Sequence, residues 1–349
     1  MNRIALRGVC KSFGPVQAVR DVTLAIETGA FVTLLGPSGS GKTTTMRMIA
    51  GLEQPSAGVV AIGDRVVSGE GVFVPTHRRN LGMVFQSYAI WPHKTVAQNV
   101  AFPLERRRVT RAEQTGQVTR MLDLVGLGAY RDRYPAQLSG GQQQRVSLAR
   151  ALVAGPEVIL FDEPLSNLDA QLRDSMRTLI RGIQQQLGIT AVWVTHDQEE
   201  AMVLSDLIYL MQGGRLVQGG PPEALYERPA NLFAATFIGQ ANTLPVTGID
   251  RAAGTVRAAG QALRVATIGA DPLERVLVVR PHQLSFAAPG ANVLPGRVRS
   301  AAYLGDRMRY HVALDGGGEL ALETAAGLTR RSPGDAAGVY LPPACCLVM

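Results

Sequence analysis

The sequence predicts an α/β core carrying a helical insertion, followed by a small all-β domain. Three observations lead there. Short apolar runs alternate with helical patterns up to about residue 240, as buried parallel strands and their crossovers do. From about 87 to 155 the pattern is mostly helical. After 237–239 the texture changes, and short β-like runs recur with Gly and Pro between them, at 276–281, 294–306 and 309–317. The expected division is therefore 1–239, with the helical part at about 87–155, and 240–349.

Each element follows from local pattern. Val22, Leu24 and Ile26 alternate with polar residues, as in a half-exposed strand. Phe31–Leu35 is a continuous apolar run followed by a glycine-rich turn. A helix is expected from about Lys42 to Ala50, stopped by Gly51. Buried strands are expected at 81–85, 158–161, 191–195 and 207–211, and the QGGR of 212–215 reads as a hairpin turn into 216–218.

Composition narrows the function classes. The chain has 349 residues, 46% apolar and 18% charged, enough for two domains with sizeable cores. The formal charge of +7 would suit nucleic acid, anionic lipid or a phosphate ligand. The basic residues are scattered, however, and the densest cluster, Arg106, Arg107, Arg108 and Arg111, reads as a solvated helix face; no nucleic-acid partner is expected. Cys10, Cys345 and Cys346 lack zinc or redox spacing, which points to a reducing compartment. The start, MNRIALRGVCKSFG, does not read as a signal peptide, and no stretch approaches the roughly 18 apolar residues of a membrane span.

The segment GPSGSGKTT at 36–44 has the spacing of a phosphate-binding P-loop. Gly36, Pro37, Ser38, Gly39, Ser40, Gly41, Lys42, Thr43 and Thr44 would form the cradle. Glycines let backbone N–H groups turn inward, and the helix N-terminus behind them favours negative charge. Lys42 should reach the outer phosphates and the Thr43 hydroxyl should bind magnesium. The motif follows an apolar strand and opens a helix, the context it requires.

VILFDEP at 158–164 places Asp162 and Glu163 at the end of a strand, where open α/β sheets hold their ligands. One carboxylate there can hold magnesium opposite Thr43 while its neighbour polarises a water for attack on the γ-phosphate. In isolation such a pair is as often a helix cap; the cradle upstream favours catalysis. LSGGQQQR at 138–145 adds a second anion site, because Ser139, Gly140 and Gly141 open a helix running to about Ala154 and leave its N–H groups accessible. Two copies arranged head to tail would use it, each γ-phosphate lying between one P-loop and the other copy's 138–142.

On these motifs the chain resembles the ATP-binding cassette ATPases, over about residues 3–240. The resemblance implies ATP and Mg2+ as ligands and further site residues. Phe13 takes the place of the aromatic that stacks on adenine. Gln86 matches the Q-loop, which contacts magnesium and senses the membrane partner. Asp169, in SNLD at 166–169, matches the D-loop near the dimer seam, and His196 the switch histidine that contacts the γ-phosphate. Ser139, Gly140, Gly141 and Gln142 stand for the family signature.

The single core and the segment at 87–104 are similar to importers whose ATPase docks on separate permeases, with Tyr88, Trp91 and Pro92 near the docking cleft. VRPHQL at 279–284 and YLGD at 303–306 resemble the small OB-like TOBE extension of sugar, polyamine and ferric-iron importer ATPases, although His282 stands where that family usually has an acid. The resemblance implies a homodimer, two integral-membrane permeases, a periplasmic or lipid-anchored solute-binding protein, and a place on the cytoplasmic face of the cell membrane. The wording is most similar to ferric-iron importers, with polyamine importers almost as similar and sugar or phosphonate systems behind them. A soluble cassette ATPase acting on DNA or ribosomes would carry two fused cassettes or a coiled-coil insertion; a P-loop kinase or GTPase has no use for LSGGQ.

Overall fold

The computed structural model describes residues 2–269, 275–327 and 330–349. It divides into two compact units, Met1–Leu225 and Tyr226–Met349. The short helix Leu232–Phe237 therefore groups with the second unit, ahead of the 239/240 boundary expected from sequence. The physical reason is Arg280, whose guanidinium donates to the carbonyls of Tyr226, Ala235 and Gln240 and ties that stretch down.

The first unit is built on a six-stranded sheet. Its strand order is Arg215–Gly220, Leu207–Gln212, Phe31–Leu35, Thr190–Thr195, Val158–Asp162, Leu81–Val84. All neighbours pair in parallel except the first two, which form the hairpin turned by Gly213 and Gly214. Alternate side chains enter two different cores, as the pleat requires. Phe31, Ile159, Phe161, Ala191 and Trp193 pack on one face with the helices. Val32, Leu34, Val158, Leu160, Val192 and Val194 pack on the other, with Met46, Met48 and Ile49 of the Lys42–Ala50 helix. A sheet buried on both faces reads as unbroken apolar runs, which is why these strands were visible in the sequence.

Register sets the site. Leu35 pairs with Thr195 and Asp162 with Val194, so the loops after these three strands leave the same end of the sheet. A second, antiparallel sheet of Val16–Glu27, Asn2–Phe13, Ala57–Ile62, Arg65–Gly69 and Val72–Phe73 covers the core around Met46 and Met48. Sequence alone reached only the Val22–Leu24–Ile26 alternation within it. Its first strand is broken in register between Leu6 and Val9, next to Gly8 at φ 57°, which blurs the period of two.

The helical part contains Val96–Arg106, Arg111–Leu124 and Gly140–Leu152. Each starts at a reciprocal capping box: Thr95 with Gln98, Thr110 with Glu113, Ser139 with Gln142. Such caps contribute about 1 kcal/mol each. The second unit is all-β apart from short helices. A six-stranded and a five-stranded sheet enclose one core that includes Leu244, Leu277, Tyr310, Leu322 and Val339.

Candidate functional site

The strand Phe31–Leu35 is wholly buried and delivers the chain into the 36–44 turn. Gly36 sits at φ 155°, where a Cβ would stand 2.2 Å from the Met211 carbonyl oxygen; Gly41 sits at φ 95°, where one would meet the Ala18 oxygen at 2.6 Å. Side chains are excluded at both positions, so the backbone itself lines the turn. Gly41 is the N-cap of Lys42–Ala50 and supplies no side-chain cap, and the first turn holds no acid. The helix start is thus left with free N–H groups and a positive end, the condition for binding an anion. Ser38 and Gly39 lie exposed at the rim, while Ser40 is buried.

Lys42 is buried, and its ammonium donates to the Gly36 oxygen at 2.7 Å, the Pro37 oxygen at 2.9 Å and Ser40 Oγ at 3.3 Å. Burial pulls its pKa below the ordinary lysine value, against the raising pull of the Glu163 and Asp162 charges. Thr43 Oγ1 donates to Asp162 Oδ1 at 3.3 Å. Burial raises the Asp162 pKa, while the Arg47 charge and the Thr43 bond pull the other way. The oxygens gathered here are those a hard divalent cation takes.

Glu163 adopts φ 44°, a left-handed conformation that costs a non-glycine residue about 1–3 kcal/mol. Its N–H is held by the Val194 oxygen at 3.0 Å. Its Oε2 lies 3.3 Å from His196 Nδ1, with the His196 side chain 57% exposed. Lys42, Thr43, Asp162, Glu163 and His196 are thereby brought together by three strands.

Gln86 is exposed, and its main-chain oxygen accepts from Asn167 Nδ2 at 3.0 Å. The turn after it contains Tyr88 at φ 60° and Ala89 at φ 49°. Arg150, on the Gly140–Leu152 helix, clamps that turn by donating to the Ala89 oxygen at 2.6 Å and the Tyr88 oxygen at 2.9 Å; Ser147 also reaches the Tyr88 oxygen. Neither Asn167 nor Arg150 was singled out from sequence. Nearby, Trp91 packs against Phe102, with ring centroids 4.3 Å apart, beside a cavity of about 340 Å³ lined by Leu81, Phe85, Phe102, Arg150 and Ala154.

The 139–142 segment makes its own cluster. Ser139 Oγ accepts the Gln142 N–H and Gln142 Oε1 accepts the Ser139 N–H. A Cβ on Gly140 would lie 3.7 Å from Leu168, and one on Gly141 3.5 Å from Leu172, so this helix start abuts the segment of Asp169. Asp169 caps Ala170–Leu187 by accepting the Leu172 N–H. Phe13 is 47% exposed at the end of the Asn2–Phe13 strand, with the Lys11 ammonium 4.8 Å from its ring centre.

Comparison with known proteins accounts for this arrangement. A model of the ABC transporter family matches residues 19–166, and a model of the TOBE domain matches 277–349. The Fe(3+) ions import ATP-binding protein FbpC 1 of Rhizobium meliloti is 48% identical over 311 residues, 88% of this chain and 87% of that protein. The chain belongs to the ABC transporter ATP-binding proteins. It is an ABC-type ATPase with a C-terminal TOBE domain. FbpC of Agrobacterium fabrum is 45% identical over 95% of this chain and 94% of its own length. The trehalose/maltose import ATP-binding protein MalK of Thermococcus litoralis is 53% identical over a shorter stretch, 68% of this chain and 65% of that protein. A dimeric bacterial ABC transporter cassette superposes with a TM-score of 0.55 at 32% identity, covering 63% of this chain and 98% of the cassette. The cbiO1 protein of Clostridium perfringens, part of an ABC transporter complex, gives 0.60 at 26% identity, with 65% and 91% covered. Among the described residues no helix is long and apolar enough to cross a membrane.

Proposed function

We propose that this chain is the ATP-hydrolysing subunit of a ferric-iron importer, working as a head-to-tail homodimer on two permease subunits at the cytoplasmic face of the cell membrane. A periplasmic or lipid-anchored binding protein would deliver the solute. The observation that carries the substrate is the extent of the likeness to the Fe(3+) import proteins, which runs through both domains. The higher identity to the trehalose/maltose protein is confined to a shorter stretch, 68% of this chain. Polyamine, sugar and phosphonate import are the alternatives.

The side chains divide the work. The backbone of 36–44 and the Lys42 ammonium hold the phosphates of ATP, and Phe13 offers a ring for the base. Thr43, Asp162 and the Gln86 side chain would hold Mg2+, which neutralises charge on the β- and γ-phosphoryl oxygens when bound. Glu163 polarises the attacking water, and His196, 3.3 Å from it, fixes the carboxylate and contacts the γ-phosphate. Ser139, Gly140, Gly141 and Gln142 of one copy complete the phosphate site of the other, with Asp169 at the seam. Only a difference in ATP affinity between open and closed dimers can drive closure, and a site completed by the second copy supplies it. The cavity beside Trp91, with Tyr88 and Pro92 on its loop, would receive the permease, and the Arg150 clamp links that loop to the signature helix.

Glu163→Gln tests the mechanism. With saturating ATP it is expected to elute as a stable dimer while the wild type turns over; a monomer under those conditions would refute it. Uptake of ferric iron against spermidine by vesicles carrying the complete transporter tests the cargo.

A further inference from the structure

We propose that Glu200, which touches no part of the nucleotide site, is a positioning residue that fixes the His196 turn to an aromatic frame shared by the three strands feeding that site. This rests on the reading of His196 as a phosphate contact.

The frame consists of Phe31, Phe161 and Trp193. The Trp193 ring lies 4.9 Å from Phe161 and 5.8 Å from Phe31, and Phe31 lies 6.5 Å from Phe161. All three are fully buried or within 1% of it. Each ring belongs to a strand that ends in the site. Phe31 opens the strand leading to the phosphate cradle, Phe161 precedes Asp162, and Trp193 lies on the strand that ends at Thr195, next to His196. A close-packed interior of this kind has low compressibility and transmits strain.

A buried indole N–H needs an acceptor, and Glu200 Oε2 supplies it at 3.0 Å. Glu200 is itself only 4% exposed. Its main chain is tied to the His196 turn, because the Glu200 N–H donates to Asp197 Oδ1 at 3.2 Å. Asp197 Oδ1 also accepts the Glu199 N–H, and Thr195 Oγ1 accepts the Asp197 N–H at 3.0 Å. His196 therefore sits in a turn pinned on both sides, and the chain of bonds closes on Trp193 through Glu200. From outside, Arg177 of the Ala170–Leu187 helix pairs with Glu199 at 3.3 Å, and Arg173 approaches Asp197 at 3.8 Å.

Packing does not explain a carboxylate here. The neighbours Ala201 and Leu204 on the same short helix are buried and apolar. An apolar residue here would leave the buried Trp193 N–H without an acceptor, a destabilising loss. What an apolar residue would lose is the directional link from Trp193 to the turn, and misplacement by about 1 Å can lower a rate about a hundredfold.

The test is steady-state phosphate release by the full chain. Glu200→Leu is expected to lower kcat about tenfold or more with KM for ATP within about twofold. Glu200→Gln keeps an acceptor for the indole and is expected to restore most of the rate. Trp193→Phe keeps the ring and removes the donor; it should show the same split and carries the test if Glu200→Leu does not fold. His196→Ala is assayed alongside. If it loses activity while the Glu200 and Trp193 variants keep wild-type kcat, the positioning role is overturned and the His196 role stands. If His196→Ala is fully active, the His196 reading falls and this proposal with it. A fall in kcat matched by a rise in KM and not restored by Gln would mean general distortion, and also overturns the proposal.

Discussion

Thr43, the second residue of the helix behind the phosphate turn, donates its hydroxyl to Asp162 at 3.3 Å across 119 residues of sequence. The bond holds an oxygen at the start of the Lys42–Ala50 helix against one at the end of the Val158–Asp162 strand. Thr43→Val preserves the branched shape and removes only the hydroxyl. It is expected to reduce ATP turnover about a hundredfold, in line with losing one preorganised polar group from a phosphoryl-transfer site. The magnesium concentration for half-maximal rate should rise, and chelation of divalent cations should abolish turnover in wild type and variant alike. Phosphate release titrated with Mg2+ measures both.

The Arg150 clamp predicts a stability effect outside the nucleotide site. Burial lowers the pKa of this guanidinium, and it answers the carbonyls of Tyr88, which Ser147 also reaches, and of Ala89, both in left-handed backbone. Arg150→Met keeps length and apolar contact with Trp91 but leaves the Ala89 oxygen without its donor. A loss of about 1–3 kcal/mol is expected, read as a lower urea midpoint at unchanged m-value. Stimulation of ATP turnover by the permeases should fall as well, since the loop between cavity and signature helix is no longer held.

The turns, strand ends and helix starts written as contiguous motifs were legible in the sequence, and the contacts made by the fold were not. Residues 36–44, Asp162 with Glu163, and 138–145 announce themselves because local spacing alone dictates a turn, a strand end or a helix start. The link from Asn167 to Gln86 spans 81 residues and that from Arg150 to Tyr88 spans 62, and an asparagine or arginine carries no mark of such a partner. Glu163 and Tyr88 take left-handed backbone without being glycine, so composition gives no warning of the strain. The antiparallel sheet over Met46 and Met48 was hidden for another reason. Its strands are short, half-exposed or broken by a bulge at Gly8, so the period of two is weak.

Glu200 predicts a pH dependence of stability with a definite sign. Burial raises its pKa above the ordinary glutamate value, opposed by the Thr195 and Trp193 side chains; Asp197 raises it further and Arg177 lowers it. A raised folded pKa means that the native state holds the proton more tightly than the unfolded chain. The associated stability is complete below the unfolded value and is lost as pH rises through the folded one. Glu200→Gln cannot ionise and keeps the indole acceptor. Its melting temperature relative to wild type should therefore rise as pH climbs from the ordinary glutamate range through the raised folded value, and thermal melts across a pH series measure it. A difference that shrinks with rising pH would show that the buried carboxylate is stabilised by its neighbours in ionised form.

Arg280 gives the corresponding prediction for the TOBE domain. Its guanidinium is 5% exposed and answers three main-chain oxygens, those of Tyr226, Ala235 and Gln240, while lying 4.2 Å from the centre of the Tyr226 ring. No carboxylate is among these partners, so the side chain acts as a planar fork of donors rather than as half of an ion pair. Arg280→Met should cost about 1–3 kcal/mol, because the buried Ala235 carbonyl and the part-buried Tyr226 and Gln240 carbonyls lose a donor together. Arg280→Lys should recover little, since one ammonium cannot reach three oxygens placed around a plane. Differential scanning calorimetry is expected to show the loss as an earlier transition of Tyr226–Met349, and limited proteolysis should cut first near the Leu232–Phe237 helix that the guanidinium no longer holds.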